Sequence, residues 1–261
     1  MHRCITLLTT LLCCVTLLMA QPVGDSALQK LYQRYFQLYD EPDKEKEFFD
    51  VSQLIKSHYL NEGNRIQYYN MCLNEVLYDT ENGKTYRAVK RSNDMLAEMN
   101  QHGDKYYNIV YIGLGTIYES RGNYRMANYY YNEAMKYVDK NDDRAMLSIL
   151  PRIASLKAPR EPHEAWELNE RFGKLTDNSP AYRKVYLALK GKIQFFLGRK
   201  DDFLFTDREF QEFLRQHPDL DNYGISTMAI IRHAYNGEYD KAIKLLHQEN
   251  PDWQNIDMLD I

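Results

Sequence analysis

Residues 107–138, YNIVYIGLGTIYESRGNYRMANYYYNEAMKYV, contain the pattern that decides the fold. Apolar side chains recur every three or four residues on both sides of Gly122, which is the spacing of an amphipathic α-helix. Because Gly adopts left-handed backbone angles at little cost, Gly122 is expected to end one helix and to turn the chain into the next. The stretch therefore predicts a helix, a tight turn and a second helix that packs against the first.

The same layout occurs at three places in the chain, which predicts a repeated structural unit. The copies are NGKTYRAV at 82–89, RGNYRMAN at 121–128 and NGEYDKAI at 236–243. In each copy a Gly is followed five residues later by a small Ala, which lets two helices approach closely. These pairs are Gly83 and Ala88, Gly122 and Ala127, and Gly237 and Ala242. Because one helix pair cannot bury its apolar stripe alone, we expect the pairs to stack on one another.

The central copy resembles the tetratricopeptide repeat (TPR), a helical hairpin of about 34 residues. The matching residues, in the order that this family shows, are Tyr111, Leu114, Gly115, Tyr118, Gly122, Ala127, Tyr131 and Ala134. Asp139 stands where the family has its closing Pro. The copies around Gly83 and Gly237 keep the turn and the Ala but lack the Leu-Gly pair. The resemblance implies an all-α fold, a right-handed superhelix (solenoid) of about six TPR-like antiparallel helix hairpins.

The remaining sequence carries helical patterns without a clear repeat signature. Apolar residues at helical spacing fill 26–40 and 43–60. Ser179, which precedes a Pro, is typical of a helix start, and this helix is expected to run to Gly198. Residues 151–162 contain three Pro and are expected to be irregular. They form either a hinge between two groups of hairpins or a longer loop within one array.

Residues 1–20 have the organisation of a secretory signal peptide. Arg3 precedes an uncharged, largely apolar run from Cys4 to Ala20, and polar residues follow it. The run is short for a bilayer span, which needs about 20 residues. We therefore expect cleavage near Ala20, with an uncleaved anchor as the alternative. The mature domain, residues 21–261, is then expected to be periplasmic or extracellular and to contain no membrane span.

The composition excludes several classes of protein. The chain has 261 residues and is 44% hydrophobic, which is enough for a substantial core. Its formal charge of −4 argues against a surface that binds nucleic acid or an anionic membrane. Cys72 is the one Cys after the predicted cleavage position, so no intramolecular disulfide is expected, and its thiol is expected to be buried. The 22 Tyr indicate a core built largely from aromatics, and Tyr129 is the best candidate for an exposed ring.

No pattern in the sequence indicates catalysis. The GKT at 83–85 ends like a phosphate-binding loop but lacks the loop's first Gly, so we interpret it as a helix turn. His163 begins a pattern like that of the zinc proteases, but Glu167 stands where the second His belongs. The sequence therefore predicts a chain that is not an enzyme, with no catalytic residue, no metal ligand and no cofactor.

The resemblance implies a concave face that binds a protein or peptide partner. Eight groove positions of the repeat family and the exposed Tyr129 form the candidate set. They are Asn70, Leu73, Asn74, Leu77, Ile109, Ile112, Thr116, Glu119 and Tyr129. Ile112 and Thr116 lie where some members carry Lys and Asn that grip a terminal carboxylate, so an apolar or neutral partner is expected. A face that only packs against a neighbouring domain is the alternative.

Three functions are compatible with the sequence. The first is an exported, non-enzymatic scaffold that binds a protein or peptide through its concave face. The second is a signalling input domain, because the layout is similar to the exported sensor half of bacterial two-component sensor kinases, without their membrane span and kinase motifs. The third is an exported helical hydrolase acting on glycans, which would need a pocket with converging carboxylates. The sequence leaves the oligomeric state open.

Overall fold

The computed structural model describes residues 26–139, 142–220 and 224–249. Within these ranges the chain forms twelve α-helices, one short 3₁₀ turn at Pro42–Lys44 and no strand. The helices are α1 Ser26–Tyr39, α2 Glu45–Asn61, α3 Arg65–Glu81, α4 Thr85–His102, α5 Tyr107–Ser120, α6 Tyr124–Met135, α7 Asp143–Lys157, α8 Pro162–Gly173, α9 Pro180–Phe196, α10 Lys200–Gln216, α11 Ile225–Tyr235 and α12 Tyr239–Glu249. The all-α prediction is confirmed for this part of the chain. The helices divide into two compact units, α1–α6 and α7–α12.

In the first unit, each helix packs against the next helix in the chain, and α3 also packs against α5. Helix α3 lies at the centre, and every side chain from Met71 to Thr80 is buried. Aromatic rings fill the space between α1, α2 and α3. The rings of Phe48 and Tyr78 stack at a centroid distance of 4.0 Å, and Tyr35 contacts Phe48 at 4.8 Å. This part of the core is aromatic, as the Tyr content predicts.

In the second unit, consecutive helices also pack together, and α9 contacts both α7 and α11. Helix α9 is central, with most side chains from Tyr182 to Gln194 buried. Gly191 allows α9 and α11 to approach, because a Cβ there would lie 2.5 Å from the sulfur of Met228. The helix start predicted at Ser179 is confirmed, since the Ser179 side chain accepts a hydrogen bond from the N–H of Tyr182 at 3.5 Å.

Five helix-to-helix turns share one construction. Their central residues, Gly63, Gly83, Gly122, Gly198 and Gly237, have φ angles between 68° and 73°. In each turn the Gly N–H donates to the carbonyl three residues earlier, and the next N–H donates to the carbonyl five residues earlier, at 2.7–3.1 Å. These bonds satisfy the last carbonyls of the preceding helix. Three of the turns belong to the copies found in the sequence, and the structure adds those at Gly63 and Gly198.

The expectation of an irregular stretch at 151–162 is wrong for most of its length. Helix α7 runs to Lys157 with Pro151 inside it, and α8 begins at Pro162. A Pro within a helix removes one backbone hydrogen bond, but the helix continues through Pro151, which is buried. Pro162 occupies the first helical position, where no N–H is needed. Only residues 158–161 connect the two helices.

The predicted signal peptide, residues 1–20, lies outside the described residues. None of the helices in the described ranges combines the length and the apolar character that crossing a bilayer requires. Cys72 is a buried free thiol, as expected. Burial raises the pKa of this thiol to about 12, which keeps it protonated at neutral pH.

Candidate functional site

Eight of the nine predicted partner-binding residues lie on α3 and α5, which pack side by side. The α3 set is Asn70, Leu73, Asn74 and Leu77, and the α5 set is Ile109, Ile112, Thr116 and Glu119. The two helices approach closely, since a Cβ at Gly113 would lie 3.1 Å from Leu73 Cδ1. Six of the eight side chains are buried, while Asn70 and Glu119 are half-buried. Their role in partner binding stays a prediction.

Tyr131 links the two helices of the α5–α6 hairpin. Its ring is fully buried and packs against Gly115, where a Cβ would overlap the ring. Its hydroxyl donates a hydrogen bond to Glu119 Oε2 at 2.6 Å and lies 3.2 Å from Thr116 Oγ1. Ala127 and Ala134 of α6 are also fully buried. These residues of the repeat signature therefore occupy the interior of the hairpin.

Six partly exposed tyrosines form a continuous surface on this hairpin, which we call the tyrosine strip. Its members are Tyr107, Tyr111, Tyr118, Tyr129, Tyr130 and Tyr137. The rings of Tyr118 and Tyr130 stack at 5.4 Å with an angle of 15°, and the ring of Tyr111 also stacks with that of Tyr130, at 6.2 Å. Tyr137 contacts both Tyr111 and Tyr107, and Tyr129 contacts Tyr130. The strip therefore runs along the whole of α5.

The strip exposes aromatic surface and hydroxyl groups. Tyr129 is 53% exposed and Tyr137 is 46% exposed. Their hydroxyls and that of Tyr111 form no hydrogen bond with any other residue in the described ranges, whereas that of Tyr107 donates to an Asn side chain at 2.9 Å. Burial raises the pKa of Tyr111 and of Tyr130 above the ordinary value of 10.0, which by itself leaves a Tyr hydroxyl protonated at neutral pH.

One ion pair lies beside the strip. Glu133 of α6 and Lys136, which directly follows α6, pair with an N–O distance of 2.5 Å. The Lys136 side chain is largely exposed, so the pair adds no net charge to this surface and contributes little to stability.

The strip differs from what the sequence predicted for most of its members. Tyrosines at helical spacing were expected to be core residues, and only Tyr129 was expected to be exposed. The signal in the sequence was the spacing itself, because 107, 111 and 118 form one stripe on α5, and 130 on α6 and 137 just beyond its end continue at helical spacing. These stripes do not distinguish a buried face from an exposed one, since both use the same period.

A second polar feature is a buried charge network between α2, α3 and α4. The side chain of Glu75 is 4% exposed and accepts a hydrogen bond from Ser52 at 2.7 Å. The same carboxylate pairs with Lys56 at 2.7 Å and with Arg91 at 2.8 Å. Three groups from α2 and α4 therefore converge on one carboxylate of α3.

Asp79 continues this network one turn further along α3. Its side chain is fully buried and pairs with Arg91 at 2.7 Å and with Arg87. Arg87 also pairs with Glu45 at the start of α2, and the Arg91 guanidinium lies 4.3 Å from the centre of the Phe49 ring. Because Arg and Lys groups engage both buried carboxylates of α3, the network holds three helices together and does not present a free acid or base.

Within the described ranges, no three side chains of His, Cys, Asp or Glu are grouped as a metal ion would require. His163 lies at the start of α8, as expected from the preceding Pro. Comparison of the chain with protein-family models, curated proteins and solved structures finds no match. A function for this chain therefore has to be inferred from its residues and their geometry.

Proposed function

We propose that the chain is an exported, non-enzymatic scaffold of TPR-like hairpins that binds a protein or peptide partner. The proposal includes a right-handed superhelical arrangement of the hairpins, as the family resemblance implies. It is supported by the five turns of one construction and by the contact of Gly115 with Tyr131. It is also supported by second-neighbour packing of α3 with α5, of α7 with α9 and of α9 with α11, which stacked hairpins require.

The tyrosine strip is the observation that carries the binding proposal. Tyr is enriched at protein interfaces, because its ring supplies a large contact area with little conformational entropy to lose and its hydroxyl can hydrogen-bond. Isolated exposed aromatics are common on soluble proteins, but six rings in mutual contact form a contiguous patch, and such patches mark interaction sites. The carboxylates of the buried network are engaged in ion pairs, which favours binding over acid–base chemistry.

Site-specific photocrosslinking in the producing cell tests this proposal. A photoreactive phenylalanine analogue replaces Tyr129 in one variant and Tyr86 in the matched control. Tyr86 lies on α4, outside the strip, and is 85% exposed. We expect an adduct of defined mass from position 129 and none from position 86. Absence of any adduct at 129, or the same set of adducts from both positions, contradicts partner binding through the strip.

A further inference from the structure

We propose that Asn236, in the turn between α11 and α12, is a site of spontaneous deamidation, and that Asn82, in the turn between α3 and α4, is protected from the same reaction. Both residues directly precede a Gly. Because Gly has no Cβ to hinder the approach, its backbone nitrogen attacks a preceding Asn side chain more readily than that of other residues. The two Asn-Gly steps lie in turns of one construction, so the difference between them comes from what surrounds each turn.

The reaction needs only the chain and water. The Gly237 nitrogen loses its proton and attacks Cγ of the Asn236 side chain, so a new N–C bond forms and the bond from Cγ to the amide nitrogen breaks. That nitrogen leaves as ammonia, with the proton that the Gly nitrogen gave up. Water then opens the resulting succinimide ring at one of its two carbonyl carbons, which gives aspartate or isoaspartate. Each product carries a carboxylate where the Asn side chain was neutral.

The backbone of the two turns is nearly identical. Asn82 has φ of −85° and ψ of 13°, and Asn236 has φ of −84° and ψ of −1°. In both turns the Gly N–H donates a hydrogen bond at 3.1 Å to the carbonyl three residues earlier. Attack requires this bond to break and ψ of the Asn to rotate, so either turn must open before it can react. The rate is therefore set by how easily each turn opens.

The surroundings of Asn82 oppose this opening. Its side-chain nitrogen donates a hydrogen bond to the Tyr78 carbonyl at 2.9 Å, which holds the group that must reorient. The buried charge network of Glu75 and Asp79 joins α3 to α4 on the two sides of the turn. Opening the turn disturbs both sets of contacts, so the reactive geometry at Asn82 is rarely reached.

Asn236 lacks restraints of this strength. Its side chain is exposed and forms no hydrogen bond within the described ranges. Helix α12, which follows the turn, packs mainly against α11 in the described part of the chain, and Ala242 is the one buried residue among those described on it. Glu238 pairs with His233 across the turn at 2.5 Å, but both side chains reach solvent, and such pairs contribute little. The turn before α12 therefore opens at lower cost.

Conversion of Asn236 changes the turn in two ways. It places a new negative charge two residues from Glu238. Isoaspartate also routes the main chain through the former side chain, which lengthens it by one carbon. The longer link moves the Gly237 N–H away from the Ala234 carbonyl, to which it donates at 3.1 Å. Deamidation therefore loosens the α11–α12 hairpin.

Peptide mapping by mass spectrometry, on purified full chain stored warm at mildly alkaline pH, tests the proposal. We expect deamidation at Asn236 to be at least about tenfold faster than at Asn82, with isoaspartate among the products. The same measurement in guanidinium chloride is the control, because unfolding removes the surroundings and should make the two rates equal within about twofold. Equal rates in the folded chain, a slower reaction at Asn236, or no reaction at Asn236 while both sites react in denaturant overturns the proposal.

Hydrogen exchange tests the structural consequence. Amides of α12 should exchange faster in the stored chain than in the fresh chain, and those of α3 should be unchanged. Asn236→Gln is the matched control, because Gln cyclises much more slowly. The turn does not require Asn, since Arg121 and Leu197 precede the Gly in two turns of the same construction. An equal rise in α12 exchange when Asn236→Gln is stored would show that deamidation does not loosen the hairpin.

Discussion

Single residues set the spacing of helices in this protein, and Gly115 is the clearest example. The ring of Tyr131 occupies the space where any other residue at position 115 would place its Cβ. The Tyr131 hydroxyl is held by Glu119, so the ring has little freedom to move away. The small residue on α5 and the large one on α6 therefore act as one structural pair.

Gly115→Ala should destabilise the protein by about 1–3 kcal/mol through overpacking against Tyr131. Gly113→Ala, two residues earlier on the same helix, is the matched control. Its Cβ would lie 3.1 Å from the flexible end of Leu73 and at ordinary contact distance from Val76 and Ser92, at 3.4 and 3.6 Å, and Ala favours a helix by about 1 kcal/mol over Gly. We expect the control to be close to neutral. Urea unfolding of both variants measures the difference, and equal free energies of unfolding would show that Tyr131 does not fix the spacing.

For single residues, the sequence predicts correctly which small residues are buried, but it predicts poorly which tyrosines are exposed. Gly115 and Tyr131 follow from the repeat resemblance, because both lie at positions of close helix contact. Tyr118 and Tyr130 carry the same helical spacing as core residues, yet they lie on the partly exposed strip. Exposure depends on which other helix covers a face, and no local pattern contains that information.

At the scale of helices, the charge network depends on the turn at Gly83. Glu75 and Arg91 each lie eight residues from Gly83, and Asp79 and Arg87 each lie four residues from it. An antiparallel hairpin places residues at equal distances from its turn opposite each other. This mirror spacing of opposite charges is therefore a signal in the sequence, and it is recognisable once Gly83 is known to be the turn.

Glu75→Gln should lower the free energy of unfolding by about 3 kcal/mol. The variant keeps the shape of the side chain but leaves Lys56 and Arg91 without their shared carboxylate in a buried setting. Glu47→Gln is the control, because Glu47 forms a solvent-exposed pair with Arg34 and should cost less than about 1 kcal/mol. Chemical denaturation of the two variants is the measurement. A loss for Glu75→Gln no larger than for Glu47→Gln would contradict a structural role for the network.

Helix α7 marks the limit of sequence reasoning at this scale. Pro151 was expected to kink or break a helix, but the helix continues through it to Lys157. Pro disfavours a helix interior by removing one hydrogen bond, and burial of the surrounding residues Leu150 and Ile153 favours continuation. Which of these two effects is larger depends on tertiary packing. The local sequence alone therefore predicted an irregular stretch where the structure has a helix.

For the whole molecule, the buried tyrosines and the buried thiol make the free energy of unfolding depend on pH in the alkaline range. Burial raises the pKa of Tyr78 from 10.0 to about 12, and of Tyr186 in the second unit to about 12. The pKa of Cys72 rises from 9.0 to about 12. Each group holds its proton to higher pH in the folded state than in the unfolded state. Their stabilisation is therefore complete below about pH 9 and is lost as the pH rises towards 12.

Thermal unfolding followed by circular dichroism should show a falling Tm between about pH 9 and pH 11. Tyr78→Phe should reduce this fall, because it removes one group whose ionisation favours the unfolded chain. The Tyr78 hydroxyl is buried with no hydrogen-bond partner in the described part of the chain, so its removal should cost little at neutral pH. Tyr86→Phe, on an exposed ring, is the matched control. A Tm independent of pH across this interval would contradict the prediction.

The turns at glycine have a consequence for how the chain reaches its native state. Each joins two helices that then touch along their length, so most contacts form between segments adjacent in sequence. Contacts between neighbouring segments favour rapid folding, because little loop-closure entropy is lost before they form. Each hairpin can nucleate by itself and recruit its neighbour, so the chain can acquire structure progressively without waiting for its far end.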